Sequence, residues 1–125
     1  MGITQKIGNG GEDLVAKYVT TIGYIISARN YRTRYGEIDI IAENDDKILF
    51  IEVKTRNERA TVAPREFVNY TKQKKIFTTA QIYMQKNYIS LQPRFDVAEV
   101  ITKDNGERTL NYIENAFGAD GFGMY

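Results

Sequence analysis

The chain contains no cysteine, no histidine and no tryptophan, and only two prolines. Each absence narrows the chemistry available. Without cysteine there are no disulfides, thiolate nucleophiles or thiolate metal ligands. Without histidine there is no imidazole general base, no His-dependent serine triad and no Cys/His zinc site. A functional metal would have to be held by oxygen donors, which suit the hard cations Mg²⁺ and Mn²⁺. The lack of tryptophan argues against the aromatic-lined sugar cleft in which a glycosidase uses paired carboxylates. No apolar run approaches the roughly 20 residues of a membrane span, and Met1-Gly2-Ile3-Thr4-Gln5-Lys6 has no signal-peptide core. The expectation is a cytoplasmic protein with no membrane partner. Charge of one sign is lacking too, since 17 basic against 16 acidic residues leave +1. That is too little to make the whole surface attract polyanions.

What is present fits one compact domain: 125 residues, 42% hydrophobic and 26% charged. Leu14, Val15, Tyr18, Val19 and Ile22 recur at helical spacing between Gly10-Gly11 and Gly23, predicting a helix from Gly11 to Ile22. Tyr24 to Tyr31 reads as an irregular first strand. Gly36 introduces a second strand and Lys47 opens a third. Thr55 to Ala63 is polar and without period, and reads as a loop. Pro64 can open a long helix that runs to Asn87, with Ile76, Ala80 and Tyr83 on its inner face. Arg94 to Ile101 alternates again, Asn105-Gly106 reads as a hairpin turn, and Arg108 to Ile113 returns as the last strand. The order αβββαββ predicts an α+β domain with a mixed sheet flanked by helices, over residues 1–117. Residues 118–125 are glycine-rich and read as a flexible tail; the alternative is a tail that docks Phe122 and Tyr125 on a partner subunit.

The third strand carries the most informative pattern. Ile48-Leu49-Phe50-Ile51 runs into Glu52-Val53-Lys54, and Gly36-Glu37-Ile38-Asp39 precedes it. A period of two puts Glu37 and Asp39 on one face of their strand, and Glu52 and Lys54 on one face of the next. A tight hairpin turning at Asp45-Asp46 would set Asp39 opposite Glu52 and Glu37 opposite Lys54. Two carboxylates facing across a sheet repel unless a cation lies between them. The plainer reading is a surface hairpin whose acids face water while Glu37 pairs with Lys54. It is weakened because this strand is apolar on both faces, the mark of a buried strand. Glu12 lies on the core-facing stripe of the first helix with Val15, Ala16 and Val19. It either approaches the acidic site or simply complements the helix dipole. Around the motif the basic residues cluster as Arg29, Arg32 and Arg34, then Lys54, Arg56, Arg59 and Arg65, then Lys72, Lys74 and Lys75. The positive field is local rather than global, or else the clusters are an ordinary solvated surface.

A helix bearing Glu12, then Gly36-Glu37-Ile38-Asp39, then Glu52-Val53-Lys54 resembles the PD-(D/E)xK nuclease superfamily, with its restriction endonuclease-like core. Gly8-x-x-Gly11-Glu12-x-x-x-Ala16, Gly23-Tyr24, Arg29-Asn30, Phe50-x-Glu52-Val53-Lys54-x-Arg56, Lys72-x-x-Lys75, Ala80, Arg94-Phe95-Asp96 and Asn115-Ala116-Phe117 look more narrowly like the uncharacterised bacterial YraN-type family. That likeness spans nearly the whole chain. The superfamily's leading proline is replaced by Ile38. The resemblance implies a Mg²⁺-dependent endonuclease, with Mn²⁺ as substitute, acting on DNA in repair or recombination. Asp39 and Glu52 would hold the metal with the Val53 carbonyl. Glu12 would reach the metal or its water, Lys54 would serve the chemical step, and Glu37 would be accessory. Lys72 and Lys75 would hold phosphates, with Arg32, Arg34, Arg56 and Arg59 flanking. Branched DNA is the expected substrate, and a two-fold homodimer would present two sites to it. The alternative is a non-catalytic nucleic-acid-binding or assembly module on the same fold. Arg94 and Asp96 are read as a structural pair.

Overall fold

The computed structural model describes residues 2–59 and 69–118, with the side chains of residues 2–9 outside that description. The elements are α1 (Gly2–Thr21), β1 (Ile25–Thr33), β2 (Gly36–Glu43), β3 (Lys47–Asn57), α2 (Tyr70–Lys86), β4 (Gln92–Thr102) and β5 (Arg108–Ile113). The strands form one sheet in the order β1-β2-β3-β4-β5. Among the described residues, only β3 and β4 run parallel, while the other neighbouring pairs are antiparallel. The α+β class with a mixed sheet is therefore as the element order predicts.

The sheet separates two cores. Ile41, Ile48, Phe50, Phe95 and Val97 pack with Ile76, Phe77, Ala80 and Tyr83 of α2. Ile40, Ala42, Leu49, Ile51, Ala98 and Val100 pack with Val15 and Val19 of α1. β3 is buried on both faces, which explains its unbroken apolar run.

Helix α1 ends where expected. Gly23 takes φ +104°, its N–H bonds the Thr20 carbonyl and the Tyr24 N–H reaches back to Val19, a Schellman arrangement that favours glycine. The helix starts at Gly2, however, and passes through Gly10-Gly11 instead of beginning there. A side chain at Gly11 would put its Cβ 3.1 Å from Thr55 Oγ1, so this glycine lets α1 lie close against β3. Helix α2 is described from Tyr70, capped by the Asn69 side chain, which accepts the Lys72 N–H. Pro64 lies outside the described residues, as do residues 119–125 of the tail.

The segment read as a loop from Thr55 is instead strand as far as Asn57. Parallel pairing of Thr55, Arg56 and Asn57 with Val100, Ile101 and Thr102 extends β3, and Arg56 is anchored to the buried Glu99 carboxylate. The Asn44-to-Lys47 turn forms as predicted, because Asn44 Oδ1 accepts the N–H groups of Asp46 and Lys47.

On β4, Asp96 is fully buried and collects four donors. Arg94 donates through Nε and Nη2 at 3.0 and 2.9 Å, the Tyr112 hydroxyl at 2.6 Å and the Asn115 N–H at 2.9 Å. The structural pairing of Arg94 with Asp96 is thus observed.

Candidate functional site

The β2–β3 register matches the hairpin count: Ile41 pairs with Phe50 and Ile40 with Ile51, and these are the last pairs before Asp39 and Glu52. There the backbone ladder gives way to a side chain. Asp39 Oδ2 accepts the Val53 N–H at 2.8 Å. Strict alternation also breaks in β2, since Ile38 and Ile41 both pack on the α2 side while Ile40 packs on the α1 side. On β1, between Arg29 facing Ile40 and Tyr31 facing Ile38, Asn30 adopts φ +53°. Asparagine tolerates that left-handed conformation better than most residues. The paired irregularity ends regular β2–β3 pairing where the carboxylates stand.

Beside it opens a cavity of about 500 Å³, lined by Gly36, Glu37, Asp39, Glu52, Val53 and Lys54 from the sheet and by Asn69, Thr71, Lys72, Lys75 and Ile76 from α2. Glu52 is only 7% exposed. Its Oε2 lies 2.6 Å from Lys72 Nζ and 3.5 Å from Lys54 Nζ. Asp39 is pushed up to about 8, first by burial, then by the neighbouring Glu52 charge and a hydrogen bond to that carboxyl, against the Val53 N–H, which lowers it. Burial and the adjacent Lys72 hold Lys54 below its ordinary range. Burial is the largest influence on Lys72 and opposes its charge, but the hydrogen bonds to Glu52 and Lys54 and the charges of Glu52 and Asp39 together outweigh it and raise that ammonium's pKa.

The remaining predicted residues divide cleanly. Lys75 lines the cavity and Glu37 stands at its margin, bound to its cross-strand neighbour Arg32 at 2.8 Å rather than to Lys54. Glu12 does not line the cavity. Its Oε1 takes Asn30 Nδ2 at 3.3 Å and Arg29 Nη2 at 3.5 Å, although its charge is felt at Asp39. Arg34 stacks on Tyr35 at the β1–β2 turn. Arg56 is taken up by Glu99, and Arg59 pairs with Asp104 beyond the end of β3. Asn69 and Thr71 are site residues the sequence reading missed. The first is detectable as a helix cap ahead of an apolar period, and the second carries no distinguishing signal.

Asp39 gives a pH-dependent stability with a definite sign. The folded protein keeps this proton up to about pH 8, whereas an unfolded aspartate loses it near 4. In that window the folded state binds more protons, so stability conferred at acid pH is lost as pH rises. In EDTA, Asp39→Asn should raise the melting temperature at pH 8.5 by at least about 4 °C, one pKa unit's worth or about 1.4 kcal/mol, with a smaller gain at pH 5. Scanning calorimetry at the two pH values checks this; equal gains at both would show that Asp39 is not titrating in that window.

Fold and cavity together define a mixed-sheet α+β domain with a carboxylate-and-lysine cleft between its central strands and one helix. The chain belongs to the family described as Uncharacterised protein family UPF0102, which it matches over residues 11–100. A UPF0102 protein of Clostridium botulinum (strain 657 / Type Ba4) is 46% identical over 116 residues, covering 90% of this chain and 94% of that protein. One from Clostridium acetobutylicum is 44% identical over 117 residues, covering 92% and 96%. The YraN-type resemblance is thereby shown. Among the described residues, no helix is long and apolar enough to cross a membrane.

Proposed function

We propose that this protein is a metal-dependent endonuclease of the PD-(D/E)xK kind, hydrolysing DNA phosphodiesters in repair or recombination and selecting its substrate by shape. The observation that carries the reading is the convergence of Asp39, Glu52, Lys54 and Lys72 in one open cavity. The donor set fits a hard divalent cation. Asp39 is pushed up to about 8, first by burial and then by the Glu52 charge beside it, and a cation would relieve both the burial of charge and that opposition. Asp39, Glu52 and the Val53 carbonyl would hold Mg²⁺ or Mn²⁺, which when bound would activate water and polarise the phosphate. The protein's own groups do the rest. Lys72 and Lys75 grip the phosphates flanking the scissile bond from α2. Lys54 donates to the phosphate oxygen on which charge grows, and Glu37 and Arg32 border the entry. A DNA substrate places the protein in the cytoplasm, and a two-fold dimer would offer two cavities to a branched junction.

Titration calorimetry tests the metal assignment. Wild type should bind Mn²⁺ and Asp39→Asn should not, with Glu52→Gln losing at least about tenfold in affinity; unchanged binding in both variants would falsify the placement. Lys75→Ala should weaken DNA binding uniformly across sequences and reduce the slope of log affinity against log salt by about one, since one phosphate contact releases its counterion. A preserved slope removes Lys75 from the interface.

A second reading, a nucleic-acid-binding module without turnover, has two observations in its favour. Lys72 already neutralises Glu52, and among the described residues no three acidic side chains gather as a metal cluster. DNA binding with no cleavage in either Mg²⁺ or Mn²⁺ would decide for it.

A further inference from the structure

Two exposed tyrosines stand next to cavity-lining residues in the chain. Tyr35 immediately precedes Gly36, and Tyr70 lies between Asn69 and Thr71, all three neighbours being cavity-lining residues. Tyr35 is 43% exposed and Tyr70 65%, so both present ring surface to solvent. Each carries a cation on its ring: Arg34 Cζ lies 5.0 Å from the Tyr35 centroid and Lys74 Nζ 5.6 Å from that of Tyr70. Local structure holds both in place. The Tyr35 N–H donates to Thr33 Oγ1 at 3.1 Å and its hydroxyl accepts Arg34 Nη2 at 2.9 Å. The turn itself is seated on α2, because a Cβ at Gly36 would come within 3.2 Å of Lys75 Cβ and Thr79 Oγ1. Tyr70 opens α2 directly behind the Asn69 cap.

An exposed aromatic ring with a cation beside it, next to lysines that can hold a backbone, is the surface on which single-stranded nucleic acid stacks its bases. Bases inside an intact duplex are already stacked on one another and offer no free face. We infer that Tyr35 and Tyr70 are stacking platforms for unpaired bases on the two sides of the phosphodiester in the cavity, so that the site takes single-stranded segments in preference to continuous duplex. This rests on the nuclease reading for the position of the phosphodiester. It adds to that reading the class of strand accepted and the residues that select it.

Fluorescence anisotropy with three labelled probes tests the inference: an oligothymidylate, an abasic strand of equal length and a duplex, each in Ca²⁺. Wild type should bind the thymidylate on the order of tenfold more tightly per stacked base than the abasic strand. Tyr35→Ala and Tyr70→Ala should each lose on the order of tenfold of that preference, with abasic and duplex affinities and melting temperature unchanged, while the Phe variants retain it. Equal affinity of wild type for thymidylate and abasic strands, alanine variants that keep the full preference, or no binding of any probe would overturn the inference. The two readings separate in a parallel Mn²⁺ cleavage assay. Cutting without base-dependent binding removes the platforms and leaves the nuclease, whereas base-dependent binding without cutting does the reverse.

Discussion

Alanine at Lys54 should slow phosphodiester cleavage by about 10²–10³-fold, the usual cost of removing one donor to a developing oxyanion, while DNA affinity changes less than about threefold. The asymmetry follows from the pairing at Glu52. Lys72 holds the buried carboxylate at 2.6 Å, and Lys54 stands farther off at 3.5 Å. Removing Lys54 therefore leaves the Lys72–Glu52 ion pair intact and, on the proposed nuclease reading, takes away a contact that strengthens only as charge grows on phosphate. Single-turnover rates in Mn²⁺ set against anisotropy binding curves separate the two effects. A variant that cuts at the wild-type rate, or one whose affinity falls as far as its rate, would remove Lys54 from the chemical step. Arginine is not expected to rescue it, because a guanidinium is larger and remains charged where the lysine is held below its ordinary range.

The largest stability effect should come from Asp96→Ala, at about 3–5 kcal/mol, the cost of breaking a buried ion pair from one side. Asp96 has no exposure and accepts from Arg94, Tyr112 and Asn115. Its loss strands an arginine only 16% exposed, which keeps just the weaker contact to Glu114 at 3.3 Å. It also leaves a tyrosine hydroxyl without its acceptor. Against a typical total of about 5–15 kcal/mol, that is a large share. Urea denaturation should show the midpoint falling with an unchanged slope. A loss under about 1 kcal/mol would mean that the four donors find other partners.

Much of this architecture was legible because it rests on local rules. The alternation in β3, the asparagine-led turn before Lys47 and Gly23 at the end of α1 each carry their signal within a few residues. The hairpin count alone was enough to bring Asp39 towards Glu52. What stayed hidden depends on contacts between distant segments. Gly10-Gly11 looked like a helix start, because nothing nearby reveals that β3 lies under the helix. Thr55 to Asn57 looked like loop, because the strand that pairs them is β4. The anchoring of Arg56 on Glu99 depends on β4, and the pairing of Glu37 with Arg32 required the β1–β2 register. The irregularity at Asn30 and Asp39 has only a weak local signature, asparagine's tolerance of a left-handed conformation, which does not fix where in the strand it falls.

The single parallel contact in the sheet also predicts an order of assembly. The strands β1, β2 and β3 are joined by short turns and can pair from sequence neighbours, which puts Asp39 and Glu52 side by side as soon as that meander forms. Lys47 meets Gln92 only after the intervening chain, α2 included, has crossed over, and such long-range closure is the slow part of folding. Lys72 travels on that crossover. The two acids therefore come together in the meander with Lys54 of β3 beside Glu52, and the closer ammonium, Lys72, reaches that carboxylate only once the crossover is made.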